Sequence, residues 1–214
     1  MADCCDPVPY RRFFNEEEAV RRLRRYRKSG LDGMASRLFD ALVELGVAGR
    51  TLLEIGGGVG DLQVELLKAG AASAVNVELS DGYETVASRL LDEEGLSGRV
   101  ERRLGDFVEE ADHVVTADIV VLNRVICCSP WVDRMIAAAT AKTGSSLALV
   151  FPRDHWLGHV FITVDNAVNR LRGGGFRAYL HPTEEVESRA NAADLDIVWA
   201  DRDLIWQGMV FGRG

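Results

Sequence analysis

Four glycines stand within five positions, at Gly56, Gly57, Gly58 and Gly60, directly after the apolar segment Thr51–Ile55. Each glycine costs backbone entropy on folding, so a cluster this dense indicates a turn that a ligand approaches closely. An apolar strand, a glycine-rich turn and a helix in this order are typical of nucleotide binding in α/β sheets. The chemistry first indicated is therefore the binding of a nucleotide-like ligand.

The spacing within this turn narrows the class of ligand. A dinucleotide turn reads G-x-G-x-x-G and places a pyrophosphate on the helix N-terminus, but here Gly60 arrives one residue early. Asp61 follows where the helix begins, and a carboxylate there is favourable as an N-cap and would repel a pyrophosphate. No Gly-Lys-Ser/Thr follows, which excludes a P-loop. The turn is predicted to hold a ligand without phosphate, and a cationic ligand would fit.

The run Glu54-Ile55-Gly56-Gly57-Gly58-Val59-Gly60 resembles the corresponding turn of the class I S-adenosylmethionine-dependent methyltransferases. Their cofactor carries a sulfonium, an amino group, a ribose and an adenine, and has no phosphate. The resemblance covers about residues 50–214, and a structural glycine turn in another α/β protein is the alternative. In the C-terminal third, Phe151-Pro152-Arg153 with a helical insertion is similar to the magnesium-protoporphyrin O-methyltransferases.

Acidic residues follow the second and third apolar segments, where ligands lie in a doubly wound sheet. Glu78 comes 22 positions after Gly56, close to the spacing of about 20 expected of a ribose-binding acid. The resemblance implies that Asp106 accepts a hydrogen bond from the adenine amino group, and Phe107 beside it could stack on the ring. An exposed strand-end Glu78 and a turn-forming Asp106 are the alternatives. The predicted cofactor-binding residues are Glu54, Gly56, Gly57, Gly58, Gly60, Glu78, Leu79, Asp106, Phe107 and Asn123, with Glu54 either orienting the turn or reaching the cofactor's amino group.

The ends of the fourth and fifth apolar segments supply the predicted catalytic residues. Asn123 is followed by Arg124-Val125 and not by the Pro-Pro-aromatic sequence of amino- and base-directed N-methyltransferases, so that chemistry is not supported. Arg124 either holds a substrate carboxylate or pairs with a nearby acid. His155 is predicted as the general base, because histidine is the commonest base near neutral pH. The predicted catalytic set is His155, Asn123 and Arg124.

Histidines and cysteines are residue types that could bind a metal ion here. His155 and His159 have the spacing of a metal pair, but no glutamate lies between them and no third ligand is evident, so no metal is predicted. His181 could also face the site. The cysteines form two adjacent pairs, Cys4-Cys5 and Cys127-Cys128, and no disulfides are expected. Cys127 and Cys128 are predicted to be small core or pocket residues. The alternative is a four-thiol site for a soft metal or metalloid, as in arsenite methyltransferases.

These residues need a framework, and apolar strands alternating with helical patterns from residue 51 onward predict one. The fold class is α/β, a doubly wound, mostly parallel seven-stranded Rossmann-like sheet with an antiparallel C-terminal hairpin and an N-terminal helical cap. Residues 1–50 are predicted as the helical cap and residues 51–214 as the methyltransferase domain. The predicted strands are 51–55, 74–79, 99–104, 118–123, 146–151, 196–200 and 205–211. The predicted helices are 15–28, 32–46, 61–69, 82–94, 131–142 and 156–172, with a further helix starting near residue 182.

Composition limits the class of partner. The net charge of −8 argues against a general nucleic-acid binder, and no apolar run is long enough to span a membrane, so a cytoplasmic location is expected. The arginines of residues 11–28 form either a solvated helix face or a basic lid over an anionic substrate. Tyr10, Phe13 and Phe14 before this helix either fold over the cofactor or make core contacts.

The predicted function is methyl transfer from S-adenosylmethionine to a small-molecule acceptor through an oxygen nucleophile. The alternatives are a thiol-rich metalloid methyltransferase or binding protein and a non-catalytic S-adenosylmethionine-binding protein. No nucleic-acid or membrane partner is expected, and a homodimer is left open.

Overall fold

The computed structural model describes the backbone of residues 7–213 and the side chains of residues 9–213. These residues form a seven-stranded sheet with the order β3-β2-β1-β4-β5-β7-β6. The strands are β1 Thr51–Ile55, β2 Ser73–Glu78, β3 Val100–Leu104, β4 Ala117–Asn123, β5 Thr143–Pro152, β6 Asp196–Arg202 and β7 Trp206–Gly212. The helices are α1 Pro7–Phe13, α2 Glu16–Ser29, α3 Gly33–Glu44, α4 Asp61–Lys68, α5 Glu84–Glu93, α6 Phe107–Glu110, α7 Val132–Ala141, α8 Trp156–Leu171 and α9 Thr183–Asn191.

The sheet confirms the predicted fold class. The first five strands pair in parallel, and β7 lies antiparallel between β5 and β6. Only residues 203–205 join β6 to β7, which leaves no room for a crossover helix and forces a hairpin. Strand order reverses between β1 and β4, so a crevice opens at their carboxyl ends.

Two segments lie outside the helices and strands predicted from the sequence. Residues 7–13 form α1, and Pro7 suits its first turn because proline lacks only an amide that would be unpaired there. Residues 176–180 lie between α8 and α9 and belong to no strand. Asn169 and Asn166 hold this segment instead, because they hydrogen-bond to the backbone of Phe176 and Ala178.

Helices cover both faces of the sheet. One core unites α2–α5 with the strands through Leu23, Leu38 and Leu62, and the other unites α6, α7 and α9 with the opposite face. The helices α2 and α3 share a hydrophobic core with the strands. The predicted domain boundary after residue 50 therefore stays a prediction. Among the described residues, no helix combines the length and the apolar character that crossing a bilayer requires.

Candidate cofactor and acceptor site

The glycine turn between β1 and α4 leaves no room for side chains. Gly56, Gly58 and Gly60 have φ angles of +61°, +60° and +79°, which L residues rarely adopt. A Cβ on Gly56 would lie 2.8 Å from a methyl carbon of Val125, and a Cβ on Gly57 would meet Asn76. The turn therefore presents bare backbone to the crevice, as its sequence indicated.

Glu78 lies beside this turn at the end of β2. Its side chain is buried, and its two oxygens accept hydrogen bonds of 2.9 Å from the backbone amides of Gly58 and Ser80. Burial raises the pKa of Glu78, while these two amides and Arg102 oppose that shift. Each carboxylate oxygen has two lone pairs, so both can accept a further hydrogen bond from a ligand in the cavity that Glu78 lines.

Glu54 lies underneath the turn and not in the cavity. Its Oε2 accepts a hydrogen bond of 3.2 Å from the Asn76 amide, which also donates to Gln63. Burial raises the pKa of Glu54 to about 8, with the nearby Asp61 carboxylate adding to the shift. Of the two predicted roles, the geometry favours orienting the turn.

The stability of the protein should therefore depend on pH through Glu54. A folded-state pKa near 8, above the ordinary value of 4.5, means that the contribution of Glu54 is complete below pH 4.5 and is lost as pH rises toward 8. The Glu54→Gln variant keeps the contact with the Asn76 amide but has no group that titrates. Its stability should therefore not fall between pH 4.5 and pH 8 on account of residue 54. We expect it to gain stability relative to the wild type at pH 8, on the order of 2–4 kcal/mol.

Chemical denaturation at pH 5 and pH 8 measures this gain. Glu101→Gln is the matched control, because Glu101 is an exposed residue of β3. Equal pH dependence of the wild type and the Glu54→Gln variant would contradict the prediction.

Asp106 and Phe107 lie outside the residues that line the cavity. The Asp106 carboxylate caps α6 by accepting a hydrogen bond of 2.9 Å from the Val108 amide. Phe107 is 4% exposed and packs in the core with Leu53, on the face of the sheet covered by α6, α7 and α9. Phe107 is the first residue of α6, and its ring packs into the core instead of facing the cavity, which does not favour the predicted stacking. Leu79 is half-buried and also lies outside the cavity lining.

A cavity of about 180 Å³ opens at the carboxyl ends of β1, β2 and β4. Its walls combine aromatic side chains with several charged and polar groups. The aromatic side chains that line it are Tyr10, Phe13, Phe14, Tyr83, Phe161, Phe176 and Trp206. Four of these residues were not predicted from the sequence, because they come from segments far apart along the chain. They are Tyr83, Phe161, Phe176 and Trp206.

The helix α1 forms one wall of this cavity. The rings of Phe13 and Phe14 lie 4.6 and 5.1 Å from the ring of Phe176. The Ser80 hydroxyl donates a 2.5 Å hydrogen bond to the carbonyl of Phe14, which ties α1 to the end of β2 next to Glu78. Of the two predicted roles for these aromatics, the structure favours the cover over the crevice.

Asn123 and Arg124 line the cavity at the end of β4. Asn123 is 6% exposed, and its Oδ1 atom has no hydrogen-bond partner in the described part of the chain. Arg124 has a φ of +64°, donates two hydrogen bonds of 2.7 and 2.8 Å to Asp32, and lies 4.4 Å over the Trp206 ring. Pairing with an acid is thus the observed role of Arg124, while Asn123 offers a free acceptor to a ligand.

His155 is not positioned to act as the predicted general base. Its Nδ1 accepts a hydrogen bond from the Leu157 amide and caps α8, and its Nε2 contacts the carbonyl of Leu204. His155 does not line the cavity. The reason is that β5 ends at Pro152 and His155 is the N-cap of α8, so its ring bonds to the backbone at the start of that helix.

The remaining histidines also make structural contacts. His159 pairs with Asp154 on the surface, and the buried His181 contacts the carbonyls of Ile126 and Ser129. No group of three or more possible metal ligands occurs among the described residues. Cys127 and Cys128 are free thiols at the cavity, whereas Cys4 and Cys5 lie outside the described residues.

Two further charged groups reach the cavity, Arg22 and Asp165. Arg22 forms a 3.1 Å ion pair with Asp61, which holds the Arg22 pKa above its ordinary value. This ion pair offsets the charge of Asp61, so the carboxylate does not favour a cationic ligand in the way that the sequence suggested. The N-cap of α4 is Gly60 and not Asp61. Asp165 on α8 makes no hydrogen bond or ion pair with any described residue, and it is a cavity carboxylate that sequence reasoning missed.

Comparison with known proteins gives matches to solved structures only. No family model and no curated protein sequence matches the chain. Magnesium protoporphyrin IX methyltransferase from Synechocystis, solved with bound S-adenosylhomocysteine, is 19% identical with a TM-score of 0.73 over 98% of this chain and 100% of that one. An O-methyltransferase family 2 protein from Planctomyces limnophilus in complex with apigenin is 17% identical, with a TM-score of 0.62 over 87% of this chain and 63% of that one.

A third match is a putative sarcosine dimethylglycine methyltransferase from Galdieria sulphuraria, 12% identical with a TM-score of 0.67 over 84% of this chain and 85% of that one. The fold is that of the class I S-adenosylmethionine-dependent methyltransferases. Within that class, the likeness to magnesium protoporphyrin IX methyltransferase extends over nearly the whole chain, including the α8 insertion. The resemblance read from the sequence is confirmed at the level of the fold.

Proposed function

We propose that this protein is an S-adenosylmethionine-dependent methyltransferase that acts on a small molecule through an oxygen nucleophile. One observation carries the proposal: the buried Glu78 carboxylate lies against the Gly58 amide, beside a turn that admits no side chain. This arrangement fits a ribose, whose hydroxyls can donate to Glu78 while its edge rests on the glycine backbone. The matched structures with bound S-adenosylhomocysteine or S-adenosylmethionine support this choice of cofactor.

The residues present fit the remaining groups of this cofactor. The unpartnered Oδ1 of Asn123 can accept a hydrogen bond from an ammonium group. Glu54 holds the turn from below, and Tyr10 and Phe14 close it from above. When bound, the cofactor supplies a methyl group on a sulfonium for in-line displacement. The backbone of Asp106 remains a proposed contact for the adenine end, while its carboxylate caps α6.

The chain contributes mainly position and exclusion of water. Holding the acceptor in line with the methyl group can supply about 7–11 kcal/mol of barrier reduction. The aromatic walls would exclude water and favour a flat, apolar acceptor. A carboxylate or phenolate acceptor needs no base, and Asp165 stands at the cavity to accept a proton from a hydroxyl acceptor.

Calorimetric titration with S-adenosylhomocysteine tests the cofactor, and methyl transfer from labelled S-adenosylmethionine to panels of oxygen, nitrogen and sulfur acceptors tests the reaction. Binding and transfer to oxygen acceptors are expected. Absence of S-adenosylhomocysteine binding would overturn the proposal, and binding without turnover on any acceptor would favour the non-catalytic alternative. We further propose that the protein has no nucleic-acid partner, because its net charge is −8.

A further inference from the structure

A pair of adjacent thiols lines the cavity and has no part in the proposed methyl transfer. Cys127 is 6% exposed and Cys128 is half-buried. Their sulfur atoms lie 3.5 and 3.6 Å from one acceptor, the carbonyl oxygen of Arg124. The neighbouring Cys127 is also the main cause that raises the pKa of the Cys128 thiol. The two sulfurs therefore lie close together and open onto the same space.

The local backbone produces this arrangement. Arg124 has a positive φ, and its amide still bonds to Val150 of β5, so its carbonyl turns away from the sheet. A short 3₁₀ turn, Ile126–Cys128, follows and brings both sulfurs under that carbonyl. Asp32 and Trp206 hold the Arg124 side chain in place, which makes the paired thiols a rigid feature.

We propose that Cys127 and Cys128 form a binding site for monosubstituted trivalent arsenicals at the acceptor end of the cavity. Thiols are soft ligands that suit such a centre. A structural zinc ion requires four ligands, and the described residues offer no group of three. A disulfide requires a sulfur separation of about 2.05 Å, which adjacent cysteines reach only with strain, whereas an arsenic atom bridges a wider gap.

The binding step balances without an oxidant. The probe is phenylarsine oxide, which in water is a phenylarsenic(III) diol. Two As–S bonds form, two As–OH bonds break, and each thiol proton leaves with a hydroxyl as water, while arsenic stays trivalent. The product is neutral, so it suits a site where the neighbouring Cys127 and burial both raise the pKa of the Cys128 thiol. The rings of Phe161 and Phe176 can receive the phenyl group.

Intact-protein mass spectrometry after desalting, with phenylarsine oxide alone as ligand, tests this site. One phenylarsenic group should stay bound to the wild type and to the Cys4→Ser/Cys5→Ser variant. Cys127→Ser or Cys128→Ser should weaken binding by roughly 100-fold or more, because the second thiol no longer adds its effective concentration. Cys127→Ala serves as a second variant, with thermal unfolding as the check on folding. Undiminished binding in the Cys127→Ser/Cys128→Ser variant, or its loss in the Cys4→Ser/Cys5→Ser variant, would overturn the proposal.

An independent observation concerns the outer face of α8. Five large apolar residues on this face are 39–87% exposed, and their spacing places them on one side of the helix. They are Trp156, Val160, Val164, Val168 and Leu171. The inner face is apolar as well, since Ile162 is buried and Phe161 lines the cavity. A helix that is apolar on both sides is normally covered on both.

We infer that this face pairs with the same face of a second copy of the chain, antiparallel about Val164. In that arrangement Val160 of one copy faces Val168 of the other. Asp154 precedes the helix, and Arg172, which ends it, has no ion pair with any described residue. In an antiparallel pair, Asp154 of one copy therefore lies near Arg172 of the other. In a parallel pair, like charges would meet instead. Opposed helix dipoles favour the same arrangement. A lipid surface fits less well, because anionic headgroups would repel a net charge of −8.

Contact through one helix pair predicts a weak dimer, because stable interfaces bury about 800 Å² on each partner. Sedimentation across the micromolar range should show a concentration-dependent dimer that Val164→Glu abolishes. Val115→Glu is the matched control, since Val115 is 63% exposed in the loop before β4. Arg172→Asp should weaken the dimer, and the Asp154→Arg/Arg172→Asp swap should restore it. A monomer at all concentrations, a dimer that survives Val164→Glu, or binding to neutral lipid vesicles through this face would overturn the inference.

Discussion

The Gly58→Ala variant is expected to bind S-adenosylhomocysteine roughly 30-fold or more weakly than the wild type, a loss of about 2 kcal/mol. A Cβ at this position would stand 3.2 Å from the Tyr83 ring. It would also disturb the 2.9 Å hydrogen bond from the Gly58 amide to Glu78 and occupy the backbone surface offered to the cofactor. Isothermal titration calorimetry measures the loss directly.

Gly95→Ala is the matched control for backbone strain. Gly95 has a φ of +68°, close to the +60° of Gly58, and a Cβ there would meet nothing within 4 Å. Gly95→Ala should lose about 1–2 kcal/mol of stability, because alanine is strained in the left-handed region, and Gly58→Ala should lose at least as much. Only Gly58→Ala should lose affinity. Equal affinities in the two variants would show that the turn does not contact the ligand.

The Glu78→Gln variant is expected to bind S-adenosylhomocysteine roughly 100-fold more weakly, since hydrogen bonds to charged groups contribute about 1.5–3 kcal/mol each. The glutamine amide would place a donor where the carboxylate now accepts from Gly58 or Ser80, so the turn itself would also be disturbed. Glu101→Gln, on the exposed part of neighbouring β3, should leave the affinity unchanged.

A second ligand separates ribose recognition from support of the turn. A 2′,3′-dideoxy analogue of S-adenosylhomocysteine lacks the hydroxyls that Glu78 is proposed to accept from. The wild type should bind this analogue much more weakly than the parent ligand, whereas Glu78→Gln should bind the two almost equally. If the wild type binds both alike, Glu78 does not recognise the ribose.

The fold could be predicted because its signals are local. The burial pattern of β1 and β4 is continuous, as a parallel strand covered on both faces requires, and the short link before Trp206 permits only a hairpin. The start of α2 is likewise marked by neighbouring residues, because Asn15 is its N-cap and its first turn is acidic. The helix α1 was missed because it has only seven residues, although Tyr10, Phe13 and Phe14 have the spacing of three and four that one helix face requires.

The acceptor side of the site was harder to predict. A histidine after β5 fits a general base as well as a helix cap, and the position of Leu204, 49 residues away, decides between these roles for His155. Arg124 likewise could bind a substrate or an acid, and Asp32 lies 92 positions from it along the chain. Such choices depend on contacts between distant segments, which a residue's own type and spacing do not contain.

The sequence by itself determined the class of fold, the glycine turn and the acid at the end of β2. These features depend on backbone conformations and hydrophobic periods within a few neighbouring residues. Only the tertiary structure decided that Phe107 packs in the core, that Glu54 supports the turn from below, and that Cys127 and Cys128 share one cavity with α1. The physical reason is that the sequence shows which residues follow the end of a strand. The direction in which their side chains face depends on how helices from distant parts of the chain pack against that end.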